Sequence, residues 1–431
     1  MGIQSLALEL LELVFQNARD SQSTRLVQLY LRTTILLVCR RWCRVVYGNQ
    51  EWWKTVWLTR FMPTHYMVFA LRQAPPGIFE LIIDGIDYTA QAAAPPLGKR
   101  FKCPPATIFL RKIEVLLPAY LPSAKAFRVH GLTRGQWRQL SALAVAHSSR
   151  NLHNLSFEVE DYYGEWIDVD DIALAGWTGL RSLTLAGTNP LPTGLDVYSN
   201  LTVLKLARLW KFDVDVKFLL SIFTETRGLV MLELNEVECC RNADVSTAHV
   251  TLPSLAHLRL IYIDDSCPFV LRYLRLPSLQ SFSVEAGGLN SASTLLCACQ
   301  HFLCYLTEVE LQASNHCTSN TFWSTLRDIS SLDISRSGFE VSGSLFQASA
   351  ENAIRWPQLR HLRLPHPISR EDVVELAAHV SSPITTLCVI CPTEGFRFKR
   401  KLVAWYFEDG VLDGRSPANF EREEIGRWEM G

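Results

Sequence analysis

The sequence predicts an α/β chain, with a three-helix module at the amino terminus followed by a solenoid of short parallel strands joined by helical or irregular returns. Three observations carry that prediction. An apolar hexad, with leucine or an equivalent at its first, fourth and sixth places, recurs at a mean spacing of about 26 residues. Prolines repeatedly stand two residues before it, and the first 58 residues show a helical period instead. A composition of 48% hydrophobic and 20% charged residues is that of a folded chain, and 431 residues leave room for a small module plus a long array.

At the amino terminus Leu6, Leu10, Leu13 and Val14 fall at i, i+4, i+7 and i+8, with Glu9 and Glu12 off that stripe and Ser5 placed to cap an amphipathic helix. Asn17 to Arg25 is polar and reads as a loop before a shorter helix near Leu26 to Leu31. A further helix is expected from about Thr33 to Tyr47, with Ile35, Val38, Cys39, Trp42, Val45 and Val46 on one side and Arg40, Arg41 and Arg44 on the other, ended by Gly48-Asn49. Three helices in so short a span bury little surface alone. The module, residues 1–60, therefore needs a partner, the rest of the chain, or both.

Leu37-Val38-Cys39-Arg40-Arg41-Trp42, followed by Glu51-Trp52-Trp53 and preceded by the apolar helix from Leu6, resembles an F-box of the fungal type. Ala7 stands where that family commonly has the proline of a Leu-Pro start. The resemblance implies docking on the Skp-type adaptor of a cullin-RING ubiquitin ligase. Its candidate contacts or core are Leu6, Leu10, Val14, Phe15, Leu36, Val38, Cys39 and Trp42. The rival reading is a plain helical cap on a solenoid, which repeat arrays need at their ends.

The hexad is plain at Leu180-Leu183-Leu185, Leu201-Leu204-Leu206, Leu229-Leu232-Leu234, Leu255-Leu258-Leu260 and Leu359-Leu362-Leu364. Looser copies begin at Ala124, Leu152, Leu279, Leu306, Ile329 and Ile384, and successive copies lie 21 to 30 residues apart. That period and hexad are the leucine-rich-repeat signature, one strand and one return per copy. The expected shape is a horseshoe with a parallel concave sheet over residues 61–407, leaving 408–431 as a polar tail. Leu252-Pro253-Ser254-Leu255, Leu276-Pro277-Ser278-Leu279 and Trp356-Pro357-Gln358-Leu359 end one element and start the next strand. The asparagine that normally closes the motif is mostly missing. Upstream, Ile78-Leu81-Ile83 and Leu110-Ile113-Val115 also fit the hexad, one of them expected as a strand without its own helix.

Between the inward leucines the middle residues form an outward ladder: Ser156, Thr184, Lys205, Glu233, Arg259, Ser283, Glu310, Asp333, Arg363 and Cys388. Its charged members, Lys205, Glu233, Arg259, Glu310, Asp333 and Arg363, are the candidate target-binding residues, flanked by positions such as Met231, His257, Glu285, Glu308 and His361. Alternating sign suits a protein partner and not nucleic acid. A formal net charge of −1 likewise gives no basic field for nucleic acid or an anionic membrane.

No apolar run reaches the roughly 18 residues of a membrane span, and the amino terminus lacks the basic start of a secretion signal. Twelve irregularly spaced cysteines then read as reduced thiols in an intracellular protein, cytoplasmic or nuclear. Cys297, Cys299, His301 and Cys304 crowd together but lack the paired Cys-x-x-Cys knuckles of a zinc site, and they read as the inward side of a repeat. Glu158 to Asp171 holds seven carboxylates among Tyr162, Tyr163 and Trp166, without calcium-loop spacing, and reads as an exposed loop. With no His-Glu-x-x-His, Gly-x-Ser-x-Gly or phosphate-binding glycine loop, no catalysis and no cofactor are expected. Two functions are compatible with this pattern: a substrate receptor of a Skp-cullin-F-box type ligase, or a ligase-independent scaffold.

Overall fold

The computed structural model describes residues 7–20, 31–32, 34–36, 38–60, 62–85, 105–147, 151–159, 177, 179–187, 191–192, 194–209, 215–237, 249–261, 270–286, 306–313, 320–326, 328–335, 337, 339–350, 356–365, 386–391, 401–408 and 411–413. The chain divides into two compact units, one ending at Leu180 and the other running from Arg181 to Glu423.

The first unit opens with helix α1 (Leu8–Asp20), helical turns between 31 and 38, helix α2 (Arg40–Gly48) and a 3-10 turn at Gln50–Trp53. The single helix expected from Thr33 to Tyr47 is broken at Cys39, whose backbone is extended (φ −164°, ψ 165°). The break is stabilised locally, because the Cys43 thiol donates to the Leu36 carbonyl at 2.9 Å and the Cys43 amide donates to the Cys39 carbonyl. Arg32 ties the helical turns to the segment from Trp52 to Thr55. Its guanidinium donates to the carbonyls of Trp52 (2.8 Å) and Thr55 (3.3 Å) and lies 4.7 Å over the Trp53 ring.

Strand β1 (Thr55–Thr59) starts directly after those tryptophans, inside the interval assigned to the helical module. Then come α3 (Thr64–Gln73), β2 (Phe79–Asp84), α4 (Ala106–Tyr120), β3 (Ala124–Leu132), α5 (Arg134–His147) and β4 (Asn154–Val159). β1 to β4 pair in sequence order, all parallel. Val56, Leu81, Phe127 and Leu155 form one buried row across them, and Leu58, Ile83, Val129 and Phe157 form another. Leu110-Ile113-Val115 is not a strand, since it lies in α4. There Phe109, Leu110, Ile113, Leu116 and Leu117 are buried and Val115 is exposed. A leucine hexad and a helical stripe share the i, i+3 spacing, and only burial at i+7 tells them apart.

The second unit carries β5 (Ser182–Ala186), β6 (Val203–Leu209), α6 (Val216–Glu225), β7 (Met231–Val237), β8 (Val250–Thr251), β9 (His257–Ile261), β10 (Leu274–Arg275), β11 (Ser281–Ala286) and β12 (Glu308–Ala313). Helix α7 (Asn320–Thr325), β13 (Ser331–Asp333), α8 (Phe339–Ala350), β14 (His361–Pro365), β15 (Thr386–Cys391), β16 (Lys401–Glu408) and β17 (Val411–Asp413) complete it. The order is β5-β6-β7-β9-β11-β12-β13-β14-β15, each pair parallel, with β16 and β17 added antiparallel. β8 and β10 pair separately, also parallel.

One hydrogen-bond device repeats at the start of the strands. The Arg181 carbonyl accepts from both Thr202 and Val203 amides, the Thr202 carbonyl from Val230 and Met231, and the Val230 carbonyl from Ala256 and His257. The pattern continues through Ala256, Gln280, Thr307 and Ser330. Just before β6, β7, β9, β11 and β14 a turn closes between two buried residues, as in Leu255 amide to Leu252 carbonyl (3.4 Å) and Leu229 amide to Thr226 carbonyl (3.0 Å). Proline at 253 or 277 occupies the second place of that turn, where its fixed φ is favourable. Hydrogen bonding and register thus advance one repeat at a time.

Candidate interaction surfaces

Helix α1 is apolar on two sides. Leu11 and Phe15 point into the unit, Phe15 packing edge-on to Trp42 with centroids 4.8 Å apart. Leu10 (51% exposed), Leu13 and Val14 lie in solvent, as does Val38 (47% exposed) after the helical turns. Leu36, Cys39 and Trp42 are half-buried, and Leu6 lies outside the described residues. Of the residues singled out for adaptor contact, then, Leu10, Val14 and Val38 are available to a partner, while Phe15 is core.

The inner side is held firmly. Trp53 meets the Arg32 guanidinium over its ring and the rings of Tyr47 and Phe69 beside it, and its indole donates to the Val46 carbonyl at 3.0 Å. Asn49 donates to the Glu12 carboxylate at 2.6 Å and accepts from the Glu51 amide, linking α1 to the 3-10 turn. Burial holds the Arg32 guanidinium below its ordinary pKa, opposed by the Tyr66 hydroxyl nearby. The exposed leucines of α1 therefore sit on a braced platform.

The second surface is the outward face of the second unit. Its middle row runs in unbroken register from Thr184 through Lys205, Glu233, Arg259, Ser283, Glu310, Asp333 and Arg363 to Cys388. All six charged residues singled out from the sequence share this row. Much of its charge is satisfied internally. Lys205 pairs with Glu233 at 2.8 Å, Ser283 donates to Glu310 at 2.9 Å, and Arg363 reaches Asp333 at 3.5 Å. One row along, Gln312 donates to Glu285 at 3.3 Å. Cross-strand neighbours of this kind are the unit of sheet stabilisation.

In the first unit the corresponding face is more closed. Ile82 and Asp84 of β2 are each 1% exposed although they alternate with the core residues, so this strand is buried on both sides. Arg128 pairs with Glu80, and His130 Nδ1 lies 2.9 Å from Glu158. The continuous apolar run Leu81-Ile82-Ile83 breaks the alternation of Phe79–Asp84 and is the sequence mark of that second covering.

Cys297, Cys299, His301, Cys304 and the acidic stretch beyond Val159 lie outside the described residues. Among the described residues no three His, Cys, Asp or Glu side chains are grouped to hold a metal ion, and no helix is long and apolar enough to cross a membrane. No known protein family matches the chain, and no curated protein does. Among solved structures it is similar to a chain in the crystal structure of the Rad7 and Elc1 complex in yeast, at 15% identity and a TM-score of 0.36, over 92% of each chain. A superposition that loose carries neither fold nor function across.

Proposed function

We propose that the chain is the substrate-recognition subunit of a Skp-cullin-F-box type ubiquitin ligase, docking on the Skp-type adaptor through its amino-terminal helices and on a target protein through the outward face of its second unit. The observation that carries the reading is the second apolar face of α1. Leu10, Leu13 and Val14 are exposed while Leu11 and Phe15 of the same helix fill the core. A braced helix that keeps large aliphatic side chains in water is the form of an interaction site. The sequence at Leu37–Trp42 and Glu51–Trp53 supports assigning that site to an F-box. The parallel strands supply a rigid outward row for a target.

In this reading the protein performs no chemistry. It raises the concentration of target lysines near a conjugating enzyme held elsewhere in the assembly. The test is a pull-down of the purified chain with a Skp-type adaptor, comparing wild type with Leu10→Asp and Val38→Asp, and circular dichroism to verify folding. Both positions are exposed, so the variants are expected to fold and to weaken binding by about 30-fold or more, the loss of about 2 kcal/mol expected at a central contact. Failure of folded wild type to bind would leave a ligase-independent repeat scaffold.

A further inference from the structure

We propose that the outward face around strands β9 to β12 is a two-charge docking site, which takes a protein segment presenting an acidic side chain to Arg259 and a basic side chain to Glu308 and Glu310. The inference deepens the reading of this face as the target surface and rests on it. It starts from an internal comparison. The tetrapeptide His-Leu-Arg-Leu occurs twice, at His257–Leu260 in β9 and His361–Leu364 in β14, with both arginines in the same outward row. In the second copy Arg363 is met by Asp333 across the strand pair. In the first copy the neighbours of Arg259 are Glu233 and Ser283, and both are engaged elsewhere: Glu233 by Lys205, and Ser283 as donor to Glu310.

Arg259 is exposed and has no hydrogen bond or ion pair among the described residues. On β12 the opposite sign is left over. Among the described residues Glu308 is exposed and unpaired and Glu310 receives only the Ser283 hydroxyl. β11 separates the two charges, so they lie two strand spacings apart, about 10 Å. Met231, half-buried and diagonal to Arg259 on β7, adds apolar contact at the cationic end.

Charge complementarity chooses the occupant. A nucleic-acid backbone would meet Glu285, Glu308 and Glu310 within the same patch, whereas a protein segment can place one charge of each sign. An arginine with free fork geometry is the stronger anchor, because it binds a carboxylate through two parallel hydrogen bonds.

The test selects random short peptides displayed on phage against the full chain, wild type and Arg259→Glu, and then measures synthetic copies by fluorescence anisotropy. Wild type is expected to enrich peptides that carry Asp or Glu at a fixed spacing from Lys or Arg. Their affinity should fall about tenfold or more with Arg259→Glu, and recover when the peptide's acidic residue is changed to Lys. Arg259→Gln, milder beside Glu233, should weaken binding without reversing the preference. Enrichment without a charged consensus, affinity unchanged by Arg259→Glu, or no enrichment would overturn the site. Self-association abolished by Arg259→Glu would do so too, by giving the face to a second copy of the chain. Adaptor binding by the same proteins is measured in parallel, so loss of this site and loss of the receptor reading are separate results.

Discussion

Leu10 and Leu11 are adjacent, chemically identical and opposite in role, and the difference is worth several kcal/mol. Leu11 is fully buried against the rest of the first unit, while Leu10 is half in water. Leu11→Ala is expected to cost about 3 kcal/mol of stability and Leu10→Ala less than about 0.5 kcal/mol, read as shifts of the urea midpoint. Arg32 shows the reverse kind of importance, a cation almost wholly buried with backbone carbonyls and an indole ring for partners. Arg32→Ala should cost about 2–4 kcal/mol, since two carbonyls lose their donor and Trp53 loses its cover. Lys at this position should recover only part of that, because an ammonium cannot spread flat on a ring. The apolar pattern of α1 was readable from the sequence, though not which stripe faces inward. Nothing announced Arg32, since a buried cation that meets carbonyls through one nitrogen leaves no periodic mark.

Among the elements, the strands were the legible part. The hexad places alternate residues on one face, and Leu232 and Leu234 are fully buried where the alternating Met231 and Glu233 are not. Leu232→Ala should cost about 3–5 kcal/mol and Met231→Ala within about 0.5 kcal/mol, a contrast that a register slip of one residue would invert. Leu209 and Val237, both fully buried, hold the place of the closing asparagine, and the residue before that place turns left-handed. Gly131, Gly187, Arg208 and Glu236 each adopt a left-handed backbone (φ 66°, 66°, 55° and 51°) at or just beyond a strand's end. Register skips 208 and 236 together, Ala207 facing Asn235 and Leu209 facing Val237. Gly187→Ala is expected to lose about 1 kcal/mol, because a Cβ is strained at that φ. Such backbone conformations are invisible in a sequence where arginine and glutamate take the place of glycine. Of the two upstream segments that fit the hexad, Ile78-Leu81-Ile83 runs into a strand and Leu110-Ile113-Val115 falls on the helix Ala106–Tyr120, whose apolar spacing satisfies the same pattern.

For the whole molecule, a formal net charge of −1 is matched by an outward row whose charges largely pair with one another. The six charged candidates were found as a row because period and alternation fix which residues share a face. Their internal pairing was not foreseeable, since it depends on which repeats become neighbours and on side-chain reach. The measurement that tests the account most directly is amide hydrogen exchange of the full chain, alone and saturated with a Skp-type adaptor. Slowed exchange in Leu8–Asp20 and Arg40–Gly48, with the strands from Val203–Leu209 to His361–Pro365 unchanged, is the predicted result. Unchanged exchange in both helices, or protection confined to those strands, would contradict it.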